Sequence, residues 1–192
     1  MITHSFAGVD ARAAISLFGA HRQLQSLTTL ATPHDGLRLV QQVRDSQSGH
    51  QKYKHMEKSF GVVGLGVRNV NEFQKRNMQD FNQVVEDVPS VRYYSFGSKK
   101  RELQMSELLR QGYEIITEHK LQYECDGMVE VGECRWGDYI LTFDHDHFEL
   151  VGLSPEVGVQ HVANIVTDNL RKCEVETGLK TGQKGAPKKA KM

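Results

Sequence analysis

Apolar and polar positions change period several times along the 192-residue chain, and those changes outline alternating strands and helices. Residues 6–20 are mostly good helix formers, small near the start and closed by Gly19, so they predict a helix entered through a tight turn that contains Ser5. The tract LQSLTTLAT (24–32) is short, rich in leucine and β-branched residues and stopped by Pro33, which predicts a buried strand. Residues 37–66 begin polar and become rich in small residues (GVVGLGV), with no clean period; irregular or partly helical structure is expected there. Val70, Phe73, Met78, Phe81 and Val84/Val85 recur at spacings near three and four, predicting an amphipathic helix over 69–86 with Asn69 as its cap and Pro89 beyond its end.

The aromatic, β-branched VRYYSF (91–96) predicts a second strand that closes at Gly97, and a charged helix is expected over 101–118. After Asp126 a loop is expected past Trp136, Tyr139 and Leu141 into the segment DHDHFE. Ser154, Pro155 and Glu156 form a helix opening, with the hydroxyl as cap and proline at the first helical position, and Val159, Val162, Ile165, Val166 and Leu170 would line one buried face. Strands that alternate with helices imply an α/β chain, a parallel sheet with flanking helices. One domain is expected over 1–176. From 177 to 192 five lysines appear among glycines with no acid, the pattern of a solvated, disordered tail.

Composition narrows the function classes. Twenty-four basic residues balance 24 acidic ones, so no global field attracts nucleic acid, and none is expected as a partner. Cys125, Cys134 and Cys173 are an odd count with no CxxC and no paired Cys/His spacing, which argues against a disulfide framework or a structural zinc and favours a reducing compartment, cytoplasm or mitochondrion. No stretch approaches the roughly 20 apolar residues that span a bilayer.

The opening THSFAG sets Ser5 at a strand-to-helix turn, with Thr3 and Ala7 as the small residues two positions either side that a sharp nucleophile-bearing turn requires. Taken alone, Ser5 reads equally as a helix cap, and Asp126-Gly127 reads equally as a turn pair.

Taken together, HSFAGVDARAAIS, SLTTLATPHDG, DVPSVRYYSFG, CDGMVEVGECRWGDY and DHDHFELVG resemble, in order and spacing over residues 1–172, the triacylglycerol lipases of the α/β-hydrolase superfamily. In that family a segment like HSMGGLDAR bears the nucleophile, one like TTISTPHRG follows, one like NDGLV bears the acid, and a DH-containing loop bears the histidine. The resemblance implies Ser5 as nucleophile, Asp126 as acid and His147 as base, with the backbone N–H of Phe6 as one oxyanion donor. His145 is the competitor for His147. His4 and His34 are expected to be structural or surface residues, and Asp10 and Arg12 a buried pair that orients the first helix. Glu149 stands where some relatives place a calcium carboxylate, but a second ligand is not matched; no metal and no cofactor are expected.

The resemblance also implies a partial fold, with the N-terminal strands and the loop that supplies the second oxyanion donor missing upstream of Ser5. The uncovered sheet edge would invite pairing with another chain. The expected activity is hydrolysis of carboxylic esters, acylglycerols above all, with peripheral contact to lipid; a non-catalytic lipase-like binding or regulatory module is the alternative.

Overall fold

The computed structural model describes residues 1–45, 71–118, 122–154 and 158–176. The expected tail at 177–192, Asn69 as a cap, the helix opening at Pro155-Glu156 and the greater part of 37–66 lie outside the described residues.

Four parallel strands form one sheet in the order β1-β2-β3-β4: β1 Ile2–His4, β2 Ser26–Leu30, β3 Arg92–Lys99 and β4 Asp138–Asp144. Parallel neighbours need crossovers, and the chain supplies them as helices α1 (Ala7–Leu17), α2 (Arg38–Asp45), α3 (Lys75–Val84) and α4 (Glu107–Thr117). The sheet is α/β with flanking helices, as the alternating pattern predicts. Helix α5 (Gln160–Glu176) belongs to a second compact unit and carries local side-chain pairs, Gln160–Asn164 and Arg171–Asp168.

Burial explains the strand sequences. Leu27 to Leu30 are all buried, and β3 is buried from Tyr93 to Ser98, the continuous burial of strands covered on both faces, with Thr28, Thr29, Ser95 and Ser98 as small polar residues within it. Ile15 and Ala11 of α1 pack with Leu27, Val91 and Tyr93 into one core cluster.

Several boundaries differ from the sequence expectations, each for a local reason. Helix α1 stops at Leu17, and Gly19 at φ 76° turns the chain into a 3-10 turn over Ala20–Gln23. Strand β2 ends at Leu30 because Ala31 takes φ 46°. The expected 69–86 helix is split in its described part: a 3-10 turn at Asn71–Phe73 precedes α3, with Gln74 extended between them. Strand β3 continues through Gly97 to Lys99, so the glycine does not close it. Extended Ser106 likewise divides the expected 101–118 helix into a 3-10 turn at Glu102–Gln104 and α4.

The largest correction is β4, which the sequence places in a loop. It is the sheet's last strand, only Phe143 in it is buried, and aspartates stand at both its ends. Its Tyr139–Phe143 tract, YILTF between two aspartates, is itself a strand-like run of aromatic, aliphatic and β-branched residues. Its register against β3 shifts between Ser95 and Phe96, where the Ser95 hydroxyl donates to the Trp136 carbonyl (2.7 Å) and accepts the Trp136 N–H (3.0 Å).

Helix α4 meets the segment around residue 127 so closely that a Cβ on Gly112 would lie 2.0 Å from the Gly127 carbonyl oxygen. Gly112→Ala gains about 1 kcal/mol of helix propensity but forces two backbones apart, an overpacking cost of about 1–3 kcal/mol or more. We therefore expect Gly112→Ala to unfold at lower urea, and Gly158→Ala, whose Cβ would meet nothing within 4 Å, to stay within about 0.5 kcal/mol of wild type.

Candidate active site

Ser5 follows β1 directly and takes φ 56°, the left-handed region in which a non-glycine residue is strained. The turn holds it there from both sides. Its N–H donates to the Leu30 carbonyl (2.9 Å), while its own carbonyl accepts the Thr32 hydroxyl (2.8 Å) and the Gly8 N–H (3.1 Å). The crowded position is Gly8, where a Cβ would lie 2.3 Å from the Thr32 oxygen; Ala7 is exposed. The requirement for a small residue therefore falls three positions after Ser5 rather than two. Phe6 opens α1, with its ring 4.1 Å from that of Phe73, and its N–H sits at the positive end of the helix.

Asp126 makes the turn that the sequence offers and also faces a histidine. Its Oδ1 accepts the N–H groups of Met128 (2.9 Å) and Val129 (2.8 Å), and Gly127 at φ 95° packs beneath Leu109 and Met105. With Oδ1 so engaged, Oδ2 faces His147 Nδ1 at 2.7 Å. The carboxylate is fully buried and charge-assisted on both oxygens.

The histidine loop is held by Asp146, whose Oδ1 accepts the N–H groups of Phe148 (2.9 Å) and Glu149 (3.0 Å). His147 N–H donates to the Asp126 carbonyl (3.1 Å), and its Nε2 lies 3.0 Å from Ser5 Oγ. His147, not His145, is therefore the ring beside Ser5; the His145 carbonyl accepts the Ser98 hydroxyl (2.6 Å). With Asp126 on Nδ1, that nitrogen carries the proton and Nε2 is left to accept from the serine.

Two features of the surroundings were not legible in the sequence. The His4 ring centroid lies 4.4 Å from that of His147, and burial, followed by the neighbouring His147, lowers its pKa to about 3. Glu133 accepts the N–H groups of Glu130 (3.0 Å) and Arg38, tying the Val131–Cys134 turn to the start of α2, and burial pushes its carboxyl up to about 8.

Arg12 does not pair with Asp10, which is exposed; residues two apart on a helix point to different sides. Buried Arg12 instead reaches Asn82 Oδ1 (2.9 Å), the Val85 carbonyl (3.3 Å) and His34 Nδ1 (3.4 Å), and lies 3.4 Å above the Trp136 ring. His34 is fully buried, bonded to Thr29 through Nε2 (3.1 Å), and burial next to Arg12 lowers its pKa to about 3. Among the described residues no cluster of three or more His, Cys, Asp or Glu is placed to hold a metal ion. The Glu149 carboxylate is taken up by Lys100.

No family model matches the chain. It is similar to triacylglycerol lipase 2 of Saccharomyces cerevisiae, 27% identical over 160 residues that cover 79% of this chain and 45% of the relative. In structure it resembles a Bacillus licheniformis lipase in its mature form (TM-score 0.61, 21% identity, 77% of this chain and 57% of that one). A metagenomic carboxyl esterase (0.60, 19%, 78% and 45%) and the Staphylococcus hyicus lipase (0.62, 13%, 91% and 70%) are also similar. The fold is thus that of the α/β-hydrolases, in part, and the chain spans about half the length of the curated relative it matches. Among the described residues no helix is long and apolar enough to cross a membrane.

The buried titratable groups set a stability optimum. His4 and His34, lowered from 6.5 to about 3, stay neutral in the folded state while the unfolded chain protonates, so stability falls as pH drops below 6.5. Glu133, raised from 4.5 to about 8, acts in the opposite sense, and its stability contribution is lost as pH rises from 4.5 to 8. Of these three groups, the two histidines outweigh the carboxyl between 4.5 and 6.5, and above 6.5 the Glu133 carboxyl is the one that still titrates. Unfolding free energy should therefore peak near pH 6.5, with flanks on the order of 1.4 kcal/mol per pH unit per uncompensated proton. Urea titrations at pH 5, 6.5 and 8 check this: His34→Gln should flatten the acid flank, and Glu133→Gln the alkaline one.

Proposed function

We propose that this α/β-hydrolase-fold chain, similar to lipases and esterases, carries the acyl-transfer centre of a carboxylic ester hydrolase acting on acylglycerols. The observation that carries the reading is the hydrogen-bonded row from Ser5 through His147 to Asp126, 3.0 Å and then 2.7 Å, at the C-terminal edge of a parallel sheet.

In this reading Ser5 Oγ attacks the ester carbonyl while His147 Nε2 takes its proton, forming a tetrahedral intermediate. The Phe6 N–H, at the start of α1, stabilises the oxyanion that forms. His147 then protonates the departing alcohol, leaving an acyl group on Ser5, and the same base activates water to release the acid. Asp126, its other oxygen held by Met128 and Val129, fixes the imidazole with Nε2 toward the serine. An acylglycerol places its scissile bond at a lipid boundary, so peripheral contact with lipid accompanies this substrate class.

A non-catalytic binding or regulatory module is the second reading. A fluorophosphonate probe separates the two. Under the enzymatic reading the folded wild type is labelled, Ser5→Ala and His147→Ala are not, and Asp126→Asn labels on the order of 10⁴-fold more slowly. A folded wild type that takes up no probe would leave the module reading standing.

A further inference from the structure

The acid and base of this row come from segments far apart in the chain, and a single residue grips both. Lys100 follows the last residue of β3. Its N–H donates to the carbonyl of Cys125 (3.1 Å), the neighbour of Asp126. Its ammonium donates to both oxygens of Glu149, each at 2.5 Å, and Glu149 stands two residues after His147. The Glu149 Oε2 also accepts the N–H of Asp146 (2.9 Å), the neighbour of His147 on the other side.

The pair is deeply placed, with side-chain exposures of 14% for Lys100 and 7% for Glu149. That sets it apart from the exposed pairs Lys99–Glu124 and Lys75–Asp35, which are screened by solvent and constrain little. A desolvated ammonium held on two carboxylate oxygens has one favourable geometry, so it constrains where the loop can lie. Asp146 completes the restraint, because its Oδ1 takes the next two N–H groups of the same loop. The loop that presents His147 is thus pinned to the end of β3 by charge, and the segment that presents Asp126 is pinned to the same residue by backbone.

We propose that Lys100 and Glu149 are positioning residues whose ion pair sets the distance between Asp126 and His147, and through it the alignment of His147 with Ser5. The proposal deepens the hydrolase reading and rests on it for its catalytic consequence, though its structural core does not. Removing either charge leaves the other buried without its partner and lets the His147 loop drift; a displacement near 1 Å costs on the order of 10²-fold in rate.

The test uses the full chain as wild type, Lys100→Met, Glu149→Gln, the charge exchange Lys100→Glu with Glu149→Lys, and the conservative Lys100→Arg. The first readout needs no activity: the downfield proton resonance of His147 Nδ1–H in its short bond to Asp126. We expect this signal in wild type and Lys100→Arg, its loss or exchange broadening in both single neutral variants with the fold intact by near-ultraviolet circular dichroism, and its partial return in the exchange. The second readout is the fluorophosphonate labelling rate, expected to fall on the order of 10²-fold in the neutral variants and to recover with Lys100→Arg.

Where a single neutral variant does not fold, Lys100→Met combined with Glu149→Gln, which leaves no unpaired buried charge, carries the comparison. Unchanged resonance and labelling in folded neutral variants would overturn the proposal. A wild type with the resonance but no labelling would instead sink the hydrolase reading, while loss of the resonance in the variants would still uphold the positioning role.

Discussion

Parallel pairing of four strands is the constraint on which the rest of this structure depends. When neighbouring strands run the same way, their C-terminal ends gather at one edge, and whatever follows each strand meets there. Ser5 follows β1, Thr32 and His34 follow β2, Lys100 follows β3 and His147 follows β4. The Asp126 segment comes later than β3 in sequence, yet the Lys100 N–H draws it back to the end of that strand. Residues 142 apart, Ser5 and His147, can therefore share a hydrogen bond.

The strain at Ser5 depends on the same pairing. A left-handed serine persists only if its surroundings over-determine it, and β2 supplies that: the Leu30 carbonyl takes the Ser5 N–H, and Thr32 caps the Ser5 carbonyl. Gly8 makes the approach of Thr32 possible. Behind this turn, Arg12 ties α1 to α3 and to Trp136, spending a buried guanidinium on neutral acceptors and a ring face rather than on a carboxylate. Burial lowers its pKa to about 10, against the opposing pull of Asp87 and Tyr93, and burial likewise keeps His34 neutral beside it.

The alternation of helix-like and strand-like tracts, and hence the α/β class, was legible because β2 and β3 are buried on both faces and are rich in leucine, aromatic and β-branched residues. The identity of Ser5, Asp126 and His147 as the residues to follow was also legible, since their segments resemble a family pattern in order and spacing. Strand β4 was expected as loop although Tyr139–Phe143 is an aromatic, aliphatic and β-branched run. His4 was expected to be structural or on the surface; a lone histidine carries no period, and only the closing of the loop onto β1 sets its ring against that of His147.

What the sequence by itself determined is therefore local: where the chain turns, which tracts are covered, and which side chains have the chemistry of a nucleophile, a base and an acid. Tertiary structure alone decided the contact of His147 with Ser5, the reach of Arg12 to Asn82 and Trp136, the bond of Glu133 to Arg38 and the grip of Lys100 on two segments at once. Each of these is a distance between residues remote in the chain, and a distance of about 3 Å is set by packing and by the loss of water around a charge, neither of which is written in the spacing of residue types.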